Sequence, residues 1–154
     1  MIRRNKIRGF AKLIFVMIFL FCGFFVFSQS SSLVVISNQK GAPSTLTFSE
    51  LKSIFKGEQQ RWRGGTKIMI ALMKTNTPAG KNTSLKIYGM DANELNKFWL
   101  ALVFQGKAES PNFFNSPSEL EDFVAQNPGA IGILDQVVDN EEIKTISIEG
   151  KKLL

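Results

Sequence analysis

The chain has 154 residues, enough for one ordinary domain with a hydrophobic core. It has no histidine and one cysteine, Cys22, which excludes histidine acid–base catalysis, a thiol-based site in the folded part, internal disulfides and the usual zinc sites. Its formal net charge is +6, but five of the 19 basic residues and none of the 13 acidic ones precede residue 29. The remaining chain carries only +1, so a charge-driven nucleic-acid interface is not indicated.

The first 28 residues have the pattern of a signal peptide. Basic residues at its start precede a 15-residue apolar run at 13–27, and Val26 and Ser28 are small enough for a cleavage site. The apolar run is short for a spanning helix, which needs about 17–25 residues. We therefore predict a signal peptide at 1–28 and an exported, periplasmic or otherwise extracytoplasmic domain at 29–154. An uncleaved membrane anchor through residues 13–27 is the alternative.

The first part of the domain predicts two strands with a helix between them. Apolar runs at 33–36 and 68–73 are typical of buried strands. Between them Thr47 and Glu50 form a capping box, in which each side chain accepts a hydrogen bond from the other residue's amide. Apolar residues then recur at helical spacing until Gly57, where the helix should end.

A loop at 74–82 should open a short helix that ends near Gly89, and the longest helix should run from Asp91 to Gly106. Asp91 and Glu94 form a second capping box at its start. The following apolar residues recur at helical spacing or adjoin those that do, and we assign them to the core: Leu95, Phe98, Trp99, Leu102, Val103 and Phe104.

The last third predicts a helix, a stop and a buried strand. Ser116 can cap the helix, with Glu119 accepting a hydrogen bond from the Ser116 amide. Residues 127–129, Asn-Pro-Gly, break the helix, and the uncharged run at 130–134 is typical of a strand covered on both faces. Alternation at 143–148 predicts a final, half-exposed strand. Alternating strands and helices predict an α/β domain.

Several short motifs, in this order, resemble a known family: Ile54-Phe55-Lys56-Gly57, Trp62-Arg63-Gly64-Gly65, Phe98-Trp99, Phe104-Gln105-Gly106 and Pro128-Gly129-Ala130-Ile131-Gly132. The chain is similar to the phosphate-type substrate-binding proteins of ABC transporters, in the type 2 periplasmic-binding-protein superfamily. It most closely resembles short exported members with little more than one lobe. The resemblance implies a non-enzymatic single lobe, with a central sheet of about four or five strands flanked by helices. It also implies binding of phosphate or another small oxyanion, without a cofactor or metal.

In two-lobed members of that family, a Ser-Gly-Thr-type loop after a central strand binds phosphate with amides and hydroxyls. The corresponding stretch here has no Ser-Gly-Thr, and Pro78 lacks an amide donor. Its chemistry still suits an anion, because a helix N-terminus offers free amides beside hydroxyl, amide and ammonium groups. The candidate ligand-binding residues are Lys74, Thr75, Asn76, Thr77, Gly80, Lys81, Asn82 and Thr83. The alternative is an ordinary helix-capping loop with exposed lysines.

A second hypothesis keeps the fold and replaces the small ligand with an envelope or transporter protein partner. Phe113 and Phe114 lie in a predicted loop at 107–115, where one of the two aromatic rings should be exposed as a contact point. Trp62 could either stack on a ligand or anchor its loop by packing. Residues 52–86 carry eight basic groups and residues 109–149 carry nine acidic ones, which either line a cleft of one sign or partly neutralise each other.

Overall fold

A computed structural model describes residues 32–154, so the predicted signal peptide and the alternative anchor at 13–27 lie outside the described residues. Within 32–154, no helix combines the length and the apolar character needed to cross a membrane. The main sheet has five strands in the order β4-β3-β5-β1-β6: β1 (Val34–Asn38), β3 (Met69–Met73), β4 (Asn112–Phe114), β5 (Ala130–Leu134) and β6 (Ile143–Thr145). A separate pair joins β2 (Thr45–Leu46) and β7 (Ser147–Ile148).

The main sheet is mixed. Strands β3, β4 and β5 run parallel, with Ala71 opposite Gly132, whereas β1 runs antiparallel to both β5 and β6. The single strand predicted at 143–148 is divided in two at Ile146, whose amide donates to the carbonyl of Val35 at 2.8 Å. The first half of that stretch extends the main sheet as β6, and the second half pairs with β2 instead.

Four helices connect the strands: α1 (Phe48–Phe55), α2 (Pro78–Thr83), α3 (Ala92–Phe104) and α4 (Pro117–Gln126). A π-helical turn (Ser84–Tyr88) continues α2 and ends at Gly89, which has a left-handed backbone. The capping boxes predicted at Thr47 and Asp91 are both present. At α4 the prediction is wrong in one detail, because the Glu119 carboxylate accepts from the Asn115 amide at 3.1 Å rather than from Ser116.

Helices cover both faces of the sheet because the central strand residues alternate between the two sides. On one face, Val35 and Leu72 pack with residues of α1, the π-helical turn and α3. On the other face, Ile36 and Met73 pack with Leu120 of α4 and with the start of α2. The structure therefore has the predicted α/β architecture.

The prediction that either Phe113 or Phe114 is exposed is wrong. The loop predicted at 107–115 contains β4, so consecutive side chains point to opposite faces of the sheet. Phe113 packs against one core cluster and Phe114 against the other, and the Phe114 ring lies 5.2 Å from that of Phe123. Both rings are half-buried because both sides of the sheet are covered by helices.

The core assignment of the last residues of α3 is also wrong. Leu95 and Trp99 are buried as predicted, but 42% of Val103 and 82% of Phe104 are exposed. At about 100° per residue, Phe104 lies opposite the buried Leu95 and about 40° from Leu100, whereas Val103 lies about 40° from the buried Trp99, at the edge of the buried side. Leu100 is itself 58% exposed. Helix α3 is therefore apolar on two faces and buries only one of them.

Candidate functional site

The predicted ligand-binding loop lies at the carboxyl ends of the parallel strands. Strand β3 ends at Met73, and the Lys74 amide still donates to the carbonyl of Phe114 in β4 at 2.9 Å. Open α/β sheets bind ligands in the crevice outside these strand ends. The fold thus places the loop at 74–77 at an edge suited to a ligand.

Thr77 caps helix α2. Its hydroxyl accepts a hydrogen bond from the Gly80 amide at 3.1 Å and donates one to the Lys74 carbonyl at 2.7 Å. The Thr77 amide donates to the same carbonyl at 2.9 Å. The backbone amides of Thr75 and Asn76, in contrast, have no acceptor within the described part of the chain. The donors that remain for a ligand therefore lie before the cap.

Gly80 is required by a close approach of the chain to itself. A Cβ atom at this position would contact the Lys74 carbonyl oxygen and lie 2.5 Å from the Met73 carbonyl oxygen. Thr83, three residues later, is also enclosed: it is 2% exposed, and its hydroxyl has no hydrogen-bond partner within residues 32–154. Asn82 is half-buried, and Lys81 is exposed. Of the predicted residues, Gly80 and Thr83 are therefore held inside the fold.

Two pockets adjoin the loop, and Thr75 lines both. The first, called here the Asn96 pocket, has a volume of about 310 Å³ and is lined by Lys74, Thr75, Asn76, Asn96 and Phe113. The second, called the Asp91 pocket, has a volume of about 340 Å³, and its lining includes Thr75, Lys81, Ser84, Asp91 and Asn93. The structure thus brings Lys74, Thr75 and Asn76 together and sets Lys81 in the neighbouring pocket.

The sequence did not indicate the residues that α3 and β4 add to these pockets. Asn96 belongs to the outer face of α3, and Phe113 to a strand that was predicted as a loop. Asp91 caps α3 through its carboxylate, which accepts from the amides of Asn93 and Glu94. Only the capping pattern at Asp91 was visible as a local signal, because the other contacts depend on how distant elements pack.

A larger open cleft, about 820 Å³, lies away from the predicted loop, where the turn at 61–64 faces the start of α1. Its guanidinium groups already bind the chain: Arg63 pairs with Glu50 at 3.2 Å, and Arg61 donates to the Gly65 carbonyl at 2.9 Å. Hydrogen bonds from Thr47, first from its backbone amide, lower the pKa of the Glu50 carboxyl. Both arginines of this cleft are therefore already bound to groups of the chain itself.

Trp62, in the middle of this turn, is a buried anchor. It is 4% exposed, and its indole nitrogen donates to the Gly129 carbonyl at 2.9 Å. Packing rather than ligand stacking therefore explains this tryptophan. An ion pair at 2.6 Å between Lys67 and Glu109 joins the basic and acidic segments, so part of their charge is neutralised as the second alternative expected.

The last residue of the π-helical turn, Tyr88, is a buried polar group whose pKa is shifted. Burial raises the pKa of the Tyr88 phenol well above its ordinary value. The Tyr88 ring meets Trp99 edge-on, with centroids 6.4 Å apart, and neither polar atom has a hydrogen-bond partner within residues 32–154. No group of three histidine, cysteine or carboxylate side chains in these residues is placed to hold a metal ion.

Comparison with known proteins gives structural neighbours only. Neither the family models nor the curated proteins compared with the chain match it. An ABC-type phosphate transport receptor from Vibrio cholerae aligns with a TM-score of 0.59 and 20% identity, covering 79% of this chain and 47% of that one. A protein assigned as a phosphate ABC transporter substrate-binding protein from Clostridium perfringens, with bound phosphate, aligns with a TM-score of 0.60 and 14% identity. The alignment covers 78% of this chain and 46% of that one. PstS from Borrelia burgdorferi gives 0.53 and 16%, covering 78% and 48%.

These likenesses confirm the predicted fold, an α/β lobe with a five-stranded sheet flanked by helices. The chain spans about half the length of each of these structures. At 20% identity or less, the alignment shows shared architecture and does not assign a ligand.

Proposed function

We propose that the chain is an exported, non-enzymatic binding domain that takes a small oxyanion, with phosphate as the first ligand to test. The observation that carries the proposal is the position of Lys74, Thr75 and Asn76. They line one pocket at the carboxyl edge of a lobe whose fold is shared with phosphate receptors. Their chemistry fits an anion, because amide, hydroxyl and ammonium groups all donate hydrogen bonds to oxygen.

Each predicted residue has a place in this proposal. Lys74, Thr75 and Asn76 would contact the ligand directly, and Lys81 would add positive charge from the Asp91 pocket. Thr77 and Gly80 would hold the loop in shape through the cap and the close carbonyl approach. The remaining two candidates, Asn82 and Thr83, would support the helix behind the loop.

Calorimetric titration tests the proposal. The purified protein is titrated with phosphate, sulfate and related oxyanions, with a chloride salt of equal ionic strength as control. Saturable heat with phosphate or sulfate, but not with chloride, supports the proposal. Absence of heat at millimolar concentrations of every oxyanion contradicts it.

A second candidate function is an envelope interaction module that uses the lobe without a small ligand. Phe113 and Phe114 no longer support it, because both rings are half-buried against the core clusters instead of exposed. The exposed apolar residues of α3 do support it, since large exposed apolar patches often mark protein contacts. Capture of a specific partner from envelope extracts, lost in Phe104→Ser and retained in Val137→Ser, would favour this function over the first.

Export is part of the proposal and has its own test. Residues 1–28 would direct the chain across a membrane, and cleavage after Ser28 would leave Gln29 as the first residue. Mass spectrometry of the N-terminal peptide of the exported product decides between cleavage and an anchor retained at 13–27. A product found only in the cytoplasm would contradict export in both forms.

A further inference from the structure

An apolar pocket lies at the end of the domain where the described chain begins. The Leu33 amide donates to the Leu154 carbonyl at 3.2 Å, and the Leu154 amide donates to the Leu33 carbonyl at 2.9 Å. Leu154 also lines a pocket of about 340 Å³, called here the Leu153 pocket. Five of its eight lining residues are apolar: Phe48, Ile87, Ile148, Leu153 and Leu154. Leu153 is 49% exposed, so this apolar surface reaches solvent.

Lysine side chains surround the Leu153 pocket. Lys151 lines it, and Lys152 follows at an exposed position. The Lys52 ammonium lies 4.7 Å from the centre of the Phe48 ring, which also lines the pocket. A lysine can lay its methylene groups along an apolar surface while its ammonium group meets an anion. The pocket therefore combines an apolar floor with a positively charged rim.

The acidic groups of the chain cancel little of this charge. Glu149 is the one carboxylate among the described residues that line the pocket, and it accepts a hydrogen bond from the Phe48 amide at 3.3 Å. The acidic segment at 135–142 lies on the other face of the sheet, because its Val138 packs against the core cluster that includes Leu120. The rim therefore has an excess of positive charge and is complementary to an anionic partner.

The point where the chain enters the domain indicates which anionic partner this is. Five residues, 28–32, separate the apolar run at 13–27 from Leu33, and the chain from Phe27 to Leu33 spans at most about 22 Å. As a signal peptide before cleavage or as a retained anchor, such a run enters a membrane. The Leu153 pocket, beside Leu33, is then tethered close to lipid headgroups.

We propose that the Leu153 pocket and its lysines dock on an anionic membrane surface. Leu153 enters the headgroup layer, and the ammonium groups of Lys52, Lys151 and Lys152 lie against lipid phosphates. The short tether makes this docking an intramolecular step, so a small patch is sufficient for it. The inference goes beyond the proposed function and does not depend on the oxyanion site.

Quenching by spin-labelled lipid tests the geometry. In the full chain carrying Cys22→Ser, Leu153→Cys is coupled to a fluorescent label, and the protein is reconstituted in phosphatidylglycerol vesicles that contain the spin-labelled lipid. The matched control is a label on Lys40→Cys, because Lys40 is exposed just after the opposite end of β1. The proposal expects strong quenching at the Leu153 position and little at the Lys40 position. Equal quenching at both positions, or none at the Leu153 position, overturns it.

The charge of the lipid tests the chemistry. In phosphatidylcholine vesicles, which carry no net charge, the label at the Leu153 position should lose most of its quenching. Lys151→Glu should cause the same loss in phosphatidylglycerol vesicles, whereas Lys40→Glu should not. Raising the salt from about 0.1 M to about 1 M should also release the label, because it shortens the Debye length from about 10 Å to about 3 Å. Equal quenching in both lipids would show that the tether alone places the label there, and would overturn the proposal.

Two further measurements identify other occupants. Inorganic phosphate should release the label no better than chloride of equal ionic strength, and a specific release would assign the pocket to the free anion instead. Hydrogen exchange on the unsubstituted full chain keeps the test valid if a labelled variant fails to fold. Amides at 149–154 should exchange more slowly in phosphatidylglycerol than in phosphatidylcholine vesicles. Equal exchange in the two lipids overturns the proposal, and equally slow exchange would assign this face to residues 1–31 or to a second copy.

Discussion

Two regions differ in the hydrogen bonding of their buried polar groups: the junction around Gly129, just before β5, and the helical segment at 78–88, after β3. At the junction, the Trp62 indole donates to Gly129, and the Asn38 side-chain amide donates to the Val124 and Ala125 carbonyls at 2.9 and 2.7 Å. In the segment after β3, the Thr83 and Tyr88 hydroxyls are buried without a partner in the described chain.

An unsatisfied buried hydroxyl costs folding free energy, whereas a satisfied one contributes to it. The contrast holds for these groups and is not complete, because the Ser37 hydroxyl beside Asn38 is buried without a partner in the described chain, and the Ser84 hydroxyl after β3 donates to the Met90 carbonyl at 2.7 Å. The Thr83 and Tyr88 hydroxyls should therefore cost stability that the bonded Trp62 and Asn38 groups do not. Departures of this kind tend to occur near functional sites. Five measurements test this contrast.

The largest expected effect is at the junction. Trp62→Ala should lower the free energy of unfolding by about 3–5 kcal/mol, because it leaves a cavity and removes the donor to the Gly129 carbonyl. Urea denaturation measures it. The neighbouring Arg63→Ala should cost less than about 1 kcal/mol, because that side chain is 94% exposed and its ion pair lies at the surface. Equal losses in the two variants would show that the turn is not anchored by Trp62.

Gly80→Ala should destabilise the protein by about 1–3 kcal/mol, since the added methyl group meets the Lys74 and Met73 carbonyl oxygens. The matched control is Gly64→Ala, where a Cβ would have no heavy atom within 4 Å. The control should change the free energy of unfolding by less than about 0.5 kcal/mol. If Gly80→Ala is as mild as the control, the segment after β3 is looser than the structure indicates.

Removing positive charge beside the pockets should affect binding rather than folding. Lys74→Ala combined with Lys81→Ala should weaken phosphate binding about tenfold, or about 1.4 kcal/mol, with little change in the free energy of unfolding. Lys40→Ala is the control, because Lys40 is exposed beyond the other end of the sheet, just after β1. Calorimetry on the three proteins measures the effect. The same loss in the control would indicate general electrostatic attraction instead of a site.

Thr83→Val should stabilise the protein by about 0.5–1 kcal/mol, because it replaces a buried hydroxyl that has no partner by a methyl group of similar size. The change in the thermal midpoint measures it. Asn38→Leu, which removes a side chain with satisfied hydrogen bonds, should instead destabilise the protein. A loss of stability in Thr83→Val would mean that its hydroxyl contributes to folding after all.

The smallest expected effect is a pH dependence of stability, which is measured on the unsubstituted protein. Tyr88 is the only tyrosine, so phenolate absorbance reports on it alone. Burial raises its pKa in the folded state. Stability should therefore be unaffected below the unfolded value, about 10, and should fall as pH rises above it. Phenolate should appear only as the protein unfolds. Its appearance in folded protein near pH 10 would show that the ring is open to solvent.

The sequence predicted those parts of the fold that depend on local chemistry. The caps at Thr47 and Asp91, the buried strand at 130–134 and a helical end at Gly89, where the π-helical turn stops, were all confirmed. The loop predicted at 74–82 is shorter than expected, because α2 already begins at Pro78. Strand β4 was missed because three residues carry no periodicity of their own, and their pairing is decided by β3.

The errors at Phe104 and at the site have a related cause. When apolar residues lie on two sides of a helix such as α3, the sequence alone does not show which side packs against the sheet. Periodicity shows which residues share a side of the helix, but not what that side contacts. For the site, the sequence located the loop from Lys74, but Asn96 joins it only because the fold brings α3 beside that loop and Phe113 of β4. Whether the loop binds an oxyanion stays a prediction.

The place of β1 in the sheet affects how the domain can fold. This strand lies inside the sheet, and Val34 and Ile36 pair with Leu134 and Thr145, about a hundred residues later in the chain. Such high contact order makes folding slow, because the sheet cannot close until its most distant partner strands have been synthesised. Strand β1 would therefore stay unpaired through most of the synthesis of the chain, although β3 and β4 can pair earlier.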